Sequence, residues 1–215
     1  MTMNKLLFFL IQLCIPLCSY SQVGQIKTPA DSATSLFSAS ATGYYYLFHG
    51  SEKNSATLIG YMDFKSIHIE PRYNYEGQNT GSVFAGYKFE FEGKVSLAVT
   101  PMIGIVFGSL QGFAPGLELE ISYGKFDFYS ENEFVIDQAD SRNNFFYTWT
   151  ELGYSPVEKF RAGISAQRTR LYETGLDFQR GIFAEYSFWK LTAGLHYFNP
   201  FSTEYFFITS LNFDF

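Results

Sequence analysis

The chain has 215 residues, of which 25 are Phe, 16 Tyr and 2 Trp, and a formal net charge of -6. Charged residues make up 17% and the mean hydropathy is -0.04. This excludes disorder, which needs few aromatics, and a helical membrane protein, which needs apolar runs of about 20 residues. It also fits poorly with a soluble domain, whose residues are about one quarter charged.

Taken in order, residues 1–21 read as a signal peptide. Lys5 supplies the positive start, Leu6 to Leu17 the apolar stretch, and Ser19, Tyr20 and Ser21 a small-x-small cleavage site. Cys14 and Cys18 both fall inside this peptide, so the mature chain is expected to have no disulfide, thiol nucleophile or cysteine-bound metal. Residues 22–36 are expected to form a periplasmic N-terminal extension, and 37–215 the folded domain.

From residue 37 onward a period-2 alternation of apolar and polar residues recurs, the mark of half-buried strands. It predicts twelve strands at 37–48, 56–65, 67–77, 81–92, 95–107, 114–123, 126–137, 143–154, 159–170, 175–188, 191–199 and 203–215, with ten or fourteen as the alternatives. Residues 95–117 carry no charge, but Pro101, Pro115, Gly104, Gly108, Gly112 and Gly116 oppose a helix there. Tight turns at Lys65-Ser66, Gly124-Lys125 and Trp189-Lys190 alternate with longer connections such as 49–55 and 138–143. Short turns on one side and longer loops on the other predict an all-β, antiparallel, up-and-down transmembrane barrel. A soluble sandwich would instead expose a charged face on every strand.

The segments Glu70-Pro71-Arg72-Tyr73-Asn74-Tyr75-Glu76, Thr100-Pro101-Met102-Ile103-Gly104 and Phe178-Gln179-Arg180-Gly181 resemble a group of outer-membrane barrel proteins of Gram-negative bacteria. The leader ending in Ser21-Gln22 looks like those of the Bacteroidota. The resemblance implies a fold and a compartment, with no assigned chemistry. The final Leu211-Asn212-Phe213-Asp214-Phe215 resembles the C-terminal signal read by the barrel assembly machinery, carried here by Phe213 and Phe215. An even strand count predicts both termini on the periplasmic side.

With the apolar face toward lipid, the alternate face points inward. Glu118, Glu120, Glu131, Glu133 and Glu151 then form an acidic wall, and the Gly124 turn sets Glu118 opposite Glu131. Hairpin register predicts ion pairs of Asp63 with His68, Glu70 with Lys88, and His68 with Glu90. Such a wall suits either a cation-preferring pore or a filled interior in which Arg72, Arg161 and water satisfy the acids. Arg168, Arg170 and Arg180 are expected at the outer rim, where strict alternation sets the first two beside lipid phosphates and a bulge would turn them inward toward the acids.

No GxSxG, HExxH, phosphate-binding loop or EF-hand pattern is present. The expectation is therefore a non-enzymatic outer-membrane barrel, either a small passive channel or a structural component, with no cofactor or metal. Its expected partners are outer-membrane lipid and a small solute or cation; scattered bases exclude nucleic acid. The alternative is a surface lipid hydrolase or protease with its base at His49, near Ser51 and Glu52.

Overall fold

The computed structural model describes residues 36–49, 54–169 and 178–215. The expected signal peptide and nearly all of the extension, together with Ser51, Glu52 and Arg170, lie outside these.

Twelve strands form one closed antiparallel sheet. They are β1 (Phe37–Phe48), β2 (Ser55–Phe64), β3 (Ile67–Tyr73), β4 (Thr80–Tyr87, continued as Phe89–Phe91), β5 (Ser96–Gly108) and β6 (Gly112–Tyr123). There follow β7 (Phe126–Asp137), β8 (Phe145–Val157), β9 (Phe160–Arg168), β10 (Gln179–Phe188), β11 (Leu191–Phe198) and β12 (Phe206–Asp214). Both parts of β4 pair with β5, so they are one strand interrupted at Lys88, whose N–H donates to Ser66 O at 2.8 Å. Each strand pairs with its sequence neighbour, and β1 closes the ring against β12 from Ser40↔Asp214 to Phe48↔Phe206. Across that seam Thr42 Oγ1 donates to Asn212 Oδ1 at 2.9 Å. Closure leaves no unpaired edge, which is what a sheet in hydrocarbon requires.

The alternation written in the sequence becomes two surfaces. On the outer one Ile164 lies between Leu152 and Ile182 in register, and Leu195 and Leu211 continue the apolar belt, all of them exposed. At the tight-turn end the belt is edged by Phe64, Phe91, Tyr123, Phe126, Phe188 and Trp189, and at the other end by Tyr73, Phe107, Phe113, Phe134 and Phe146. Two aromatic girdles around an aliphatic band are the surface of a membrane barrel.

The inner surface is packed. Gly104 shows how: a Cβ placed there would lie 2.5 Å from the Phe84 ring, so only glycine lets that ring lie flat across β5. Phe84 is fully buried and in turn supports Arg72, whose guanidinium sits 4.0 Å from its ring centroid. Gly104→Ala is expected to destabilise the refolded barrel by about 1–3 kcal/mol through overpacking, read as a lower urea midpoint. The loss should shrink when Phe84 is first shortened to Leu.

The hairpin from β3 to β4 departs from the sequence expectation. β3 stops at Tyr73, and Asn74 takes a left-handed φ of 56°, which Asn tolerates better than most residues. Its side chain closes the turn, donating to Ala56 O at 3.0 Å and accepting from Asn79 N–H at 2.8 Å. The chain changes face there, and Tyr75, which strict alternation from exposed Tyr73 would turn outward, is buried inside. The turn also sets the register, giving Glu70↔Phe84 and His68↔Gly86. The expected facing of Glu70 with Lys88 and of His68 with Glu90 is therefore corrected. The loop is centred two residues earlier than expected.

Candidate functional site: the charged lumen

Two arginines organise the interior. Arg72, on β3, is 4% exposed. Its Nε donates to Glu70 Oε2 at 2.7 Å, and Nη2 donates to the same oxygen. Nη1 donates to Glu133 Oε2 at 2.9 Å, while Nη2 lies 2.8 Å from Glu131 Oε1. Phe84 and Tyr75 cover its guanidinium, with centroids at 4.0 and 4.7 Å. Because Glu131 and Glu133 belong to β7, four strands along the sheet from β3, these bonds cross the lumen.

Arg161, on β9, forms the second hub. It donates to Asp127 Oδ1 at 2.6 Å, Glu151 Oε2 at 2.7 Å and Glu185 Oε2 at 2.9 Å, against the Phe183 ring at 4.5 Å. Opposite, His196 on β11 places Nε2 3.0 Å from Glu151 Oε1, and Trp149 Nε1 donates to that same oxygen at 3.1 Å.

A hydroxyl chain fills the space between and above the hubs. Tyr147 donates to Tyr75 at 2.7 Å, and Tyr75 to Glu131 Oε2 at 2.8 Å. Tyr129 donates to Glu118 Oε1 at 2.9 Å. Tyr44 of β1 meets Trp149 of β8 with ring centroids 6.1 Å apart, spanning five strands of the sheet. Tyr44, Tyr61, Tyr75, Tyr129, Glu131 and Glu151 line a partly open cavity with room for water.

The five residues of the acidic wall, Glu118, Glu120, Glu131, Glu133 and Glu151, all lie buried on β6 to β8, and the register sets Glu118 opposite Glu131. Two facing carboxylates repel unless each finds a donor. Here Glu131 turns to Arg72 and Tyr75 and Glu118 to Tyr129. Asp63 and His68 meet, with Nδ1 2.6 Å from Oδ1. Glu70 is held by Arg72 and lies beside His68. Lys88 bonds Glu120 at 2.8 Å, while Glu90 is exposed and faces Ala98 on the neighbouring strand.

At the long-loop end Arg168 Nη1 donates to Phe146 O at 2.6 Å, and Arg180 is exposed. The loop after β7 is closed by Asp140, whose carboxyl takes Arg142 Nε and Nη2. That guanidinium and the Arg142 backbone N–H hold the Asp140 carboxyl below the usual aspartate range. His49 stacks on Tyr205, with centroids 4.7 Å apart, and its Nδ1 lies 3.2 Å from the tyrosine hydroxyl. Phe213 packs edge-on against Trp189 and Phe215.

Sequence reasoning named Arg72 and Arg161 as counter-ions of a filled interior without assigning their partners, and it missed Tyr44, Tyr46 and Tyr75 as filling. Arg72 carried a signal: it lies two residues from Glu70 on the same face of one strand. Tyr75 carried one only through the turn at Asn74.

No family model matches the chain, and no curated protein matches it. Solved structures do. A KdgM porin in complex with disordered oligogalacturonate superposes with a TM-score of 0.57 at 12% identity, covering 82% of this chain and 99% of the porin. A KdgM porin without that ligand gives 0.56 at 12% identity, with 82% and 99% covered. A NanC porin gives 0.52 at 12% identity, with 82% and 98% covered. The chain shares the fold of these porins.

Proposed function

We propose that this protein is a non-enzymatic outer-membrane barrel, with both termini periplasmic, whose filled interior makes it a structural component of the membrane rather than an open solute pore. The observation that carries this reading is the contact of side chains from distant walls. Arg72 reaches Glu133, and Tyr44 reaches Trp149, where an open channel would hold water. The porin fold and the apolar belt support the compartment. Arg168 and Arg180 would meet lipid phosphates at the outer rim, and Phe213 and Phe215 would present the last strand to the assembly machinery.

A second reading, favoured by the excess of acids over bases in the lumen, is a narrow cation-preferring leak through the same interior. Planar-bilayer recording separates the two. The filled barrel is expected to show no stable conductance steps in about 1 M salt, where surface charge is screened. Regular steps whose reversal potential follows the cation in a salt gradient, and which Glu131→Gln abolishes, would establish the leak and overturn the filled-barrel reading.

A further inference from the structure

The cluster of His68, Glu70 and Glu118 has the donor arrangement of a metal site. His68 is 4% exposed, Glu70 0% and Glu118 4%, and one ligand atom from each lies within 4.8 Å of the others. His68 Nε2 is 3.1 Å from Glu70 Oε1 and 3.8 Å from Glu118 Oε2. Metal bonds of about 2.0–2.2 Å in tetrahedral geometry hold neighbouring ligand atoms roughly 3.3–3.6 Å apart. The observed separations bracket that value.

Each of the three residues has its other polar atom already engaged. Asp63 takes His68 Nδ1 at 2.6 Å, Arg72 Nε donates to Glu70 Oε2 at 2.7 Å, and Tyr129 donates to Glu118 Oε1 at 2.9 Å. A carboxylate behind the far nitrogen of a histidine, with hydrogen-bonded carboxylate ligands, is the outer shell that fixes metal ligands. The inward atoms behave differently. His68 Nε2 and Glu70 Oε1, both buried, have no hydrogen-bond partner. They lie 3.1 Å apart as an ion pair without meeting hydrogen-bond geometry. A ligand seated between nitrogen and carboxylate would satisfy both atoms.

The second histidine in the lumen lacks this shell. His196 Nδ1 is without a partner, and the inward Glu151 Oε1 is already taken by Trp149 Nε1 at 3.1 Å and His196 Nε2 at 3.0 Å. From this contrast we propose that His68, Glu70 and Glu118 bind one divalent transition-metal ion, with Asp63, Arg72 and Tyr129 as positioning residues. One imidazole and two carboxylates suit zinc and its first-row neighbours rather than calcium or magnesium, which take oxygen ligands alone. The ion would tie β3 to β6 near the tight-turn end, where Asp63 is partly exposed and offers a way in. The inference goes beyond the proposed membrane role and stands whether or not the barrel conducts.

The test uses the full mature barrel refolded in detergent micelles, with Co²⁺ as the spectroscopic probe and Zn²⁺ as the competitor. One equivalent of Co²⁺ is expected to give the intense visible d–d bands of a low-coordinate site, and Zn²⁺ to abolish them. Glu118→Gln and His68→Ala should lose the bands. Asp63→Asn should keep them at an affinity about 10–100-fold weaker, and His196→Ala should leave them unchanged. Folding of each variant is checked by its heat-modifiable migration on gels. Should His68→Ala fail to fold, Glu118→Gln and Asp63→Asn carry the decision. Absence of the bands in the folded parent protein, or their loss in His196→Ala but not in Glu118→Gln, would overturn the site.

Discussion

Arg72→Met is expected to destabilise the folded barrel by about 3–5 kcal/mol, the cost of removing one partner from a buried ion cluster. The methionine fills much of the same volume between Phe84 and Tyr75, so the loss would come from charge rather than from a hole. Glu70, Glu131 and Glu133 would be left at full burial without the guanidinium that neutralises them. Urea titration of the barrel in micelles, followed by tryptophan fluorescence, measures the shift in midpoint. Adding Glu131→Gln and Glu133→Gln to Arg72→Met should recover a large part of the loss, since neutral partners no longer need the cation. An Arg72→Met protein as stable as the parent would show that water, not the arginine, satisfies the acids and that the lumen is wet.

Ile164→Arg tests the outer surface by the same urea titration, carried out in lipid vesicles. Ile164 is 58% exposed in the middle of β9, flanked by Leu152 and Ile182 on the neighbouring strands. In a bilayer an arginine at that depth is expected to cost about 2–4 kcal/mol, falling to about 0–1 kcal/mol at the interface. Phe188→Arg, in the girdle next to the β10–β11 turn, is the matched control. The difference between the two should be seen in lipid vesicles. If both substitutions are silent there, the belt does not face hydrocarbon and the membrane reading fails.

Much of the fold was legible because strand period and turn chemistry are local. The Gly124, Lys65 and Trp189 turns fall where the sequence predicts, and the twelve strands follow from them. The predicted first and seventh strands match β1 and β7 end to end. Register was legible only where the turn was tight: the two-residue turn fixes Glu118 against Glu131, whereas the longer loop from Asn74 to Asn79 shifted the pairing of Glu70 and Lys88. That shift depends on one residue entering the left-handed region, which alternation cannot show. Partnerships across the lumen were the least legible. Arg72 and Glu133 are 61 residues apart, and nothing in strand period says which inward residues meet once the sheet has curled. The acidic wall and its two arginines could be seen, but not which carboxylate each arginine would hold.

The seam between β1 and β12 joins the two ends of the folded domain, with Thr42 and Asn212 separated by 170 residues. Every other ladder is a hairpin between sequence neighbours and can form as soon as its two strands exist. This one closes the largest loop in the chain, and such contacts are the slowest to be reached. Until it forms, the first and last strands offer open edges. The barrel is therefore committed only when its final strand arrives, and the seam is where assembly ends and where opening of the ring would begin.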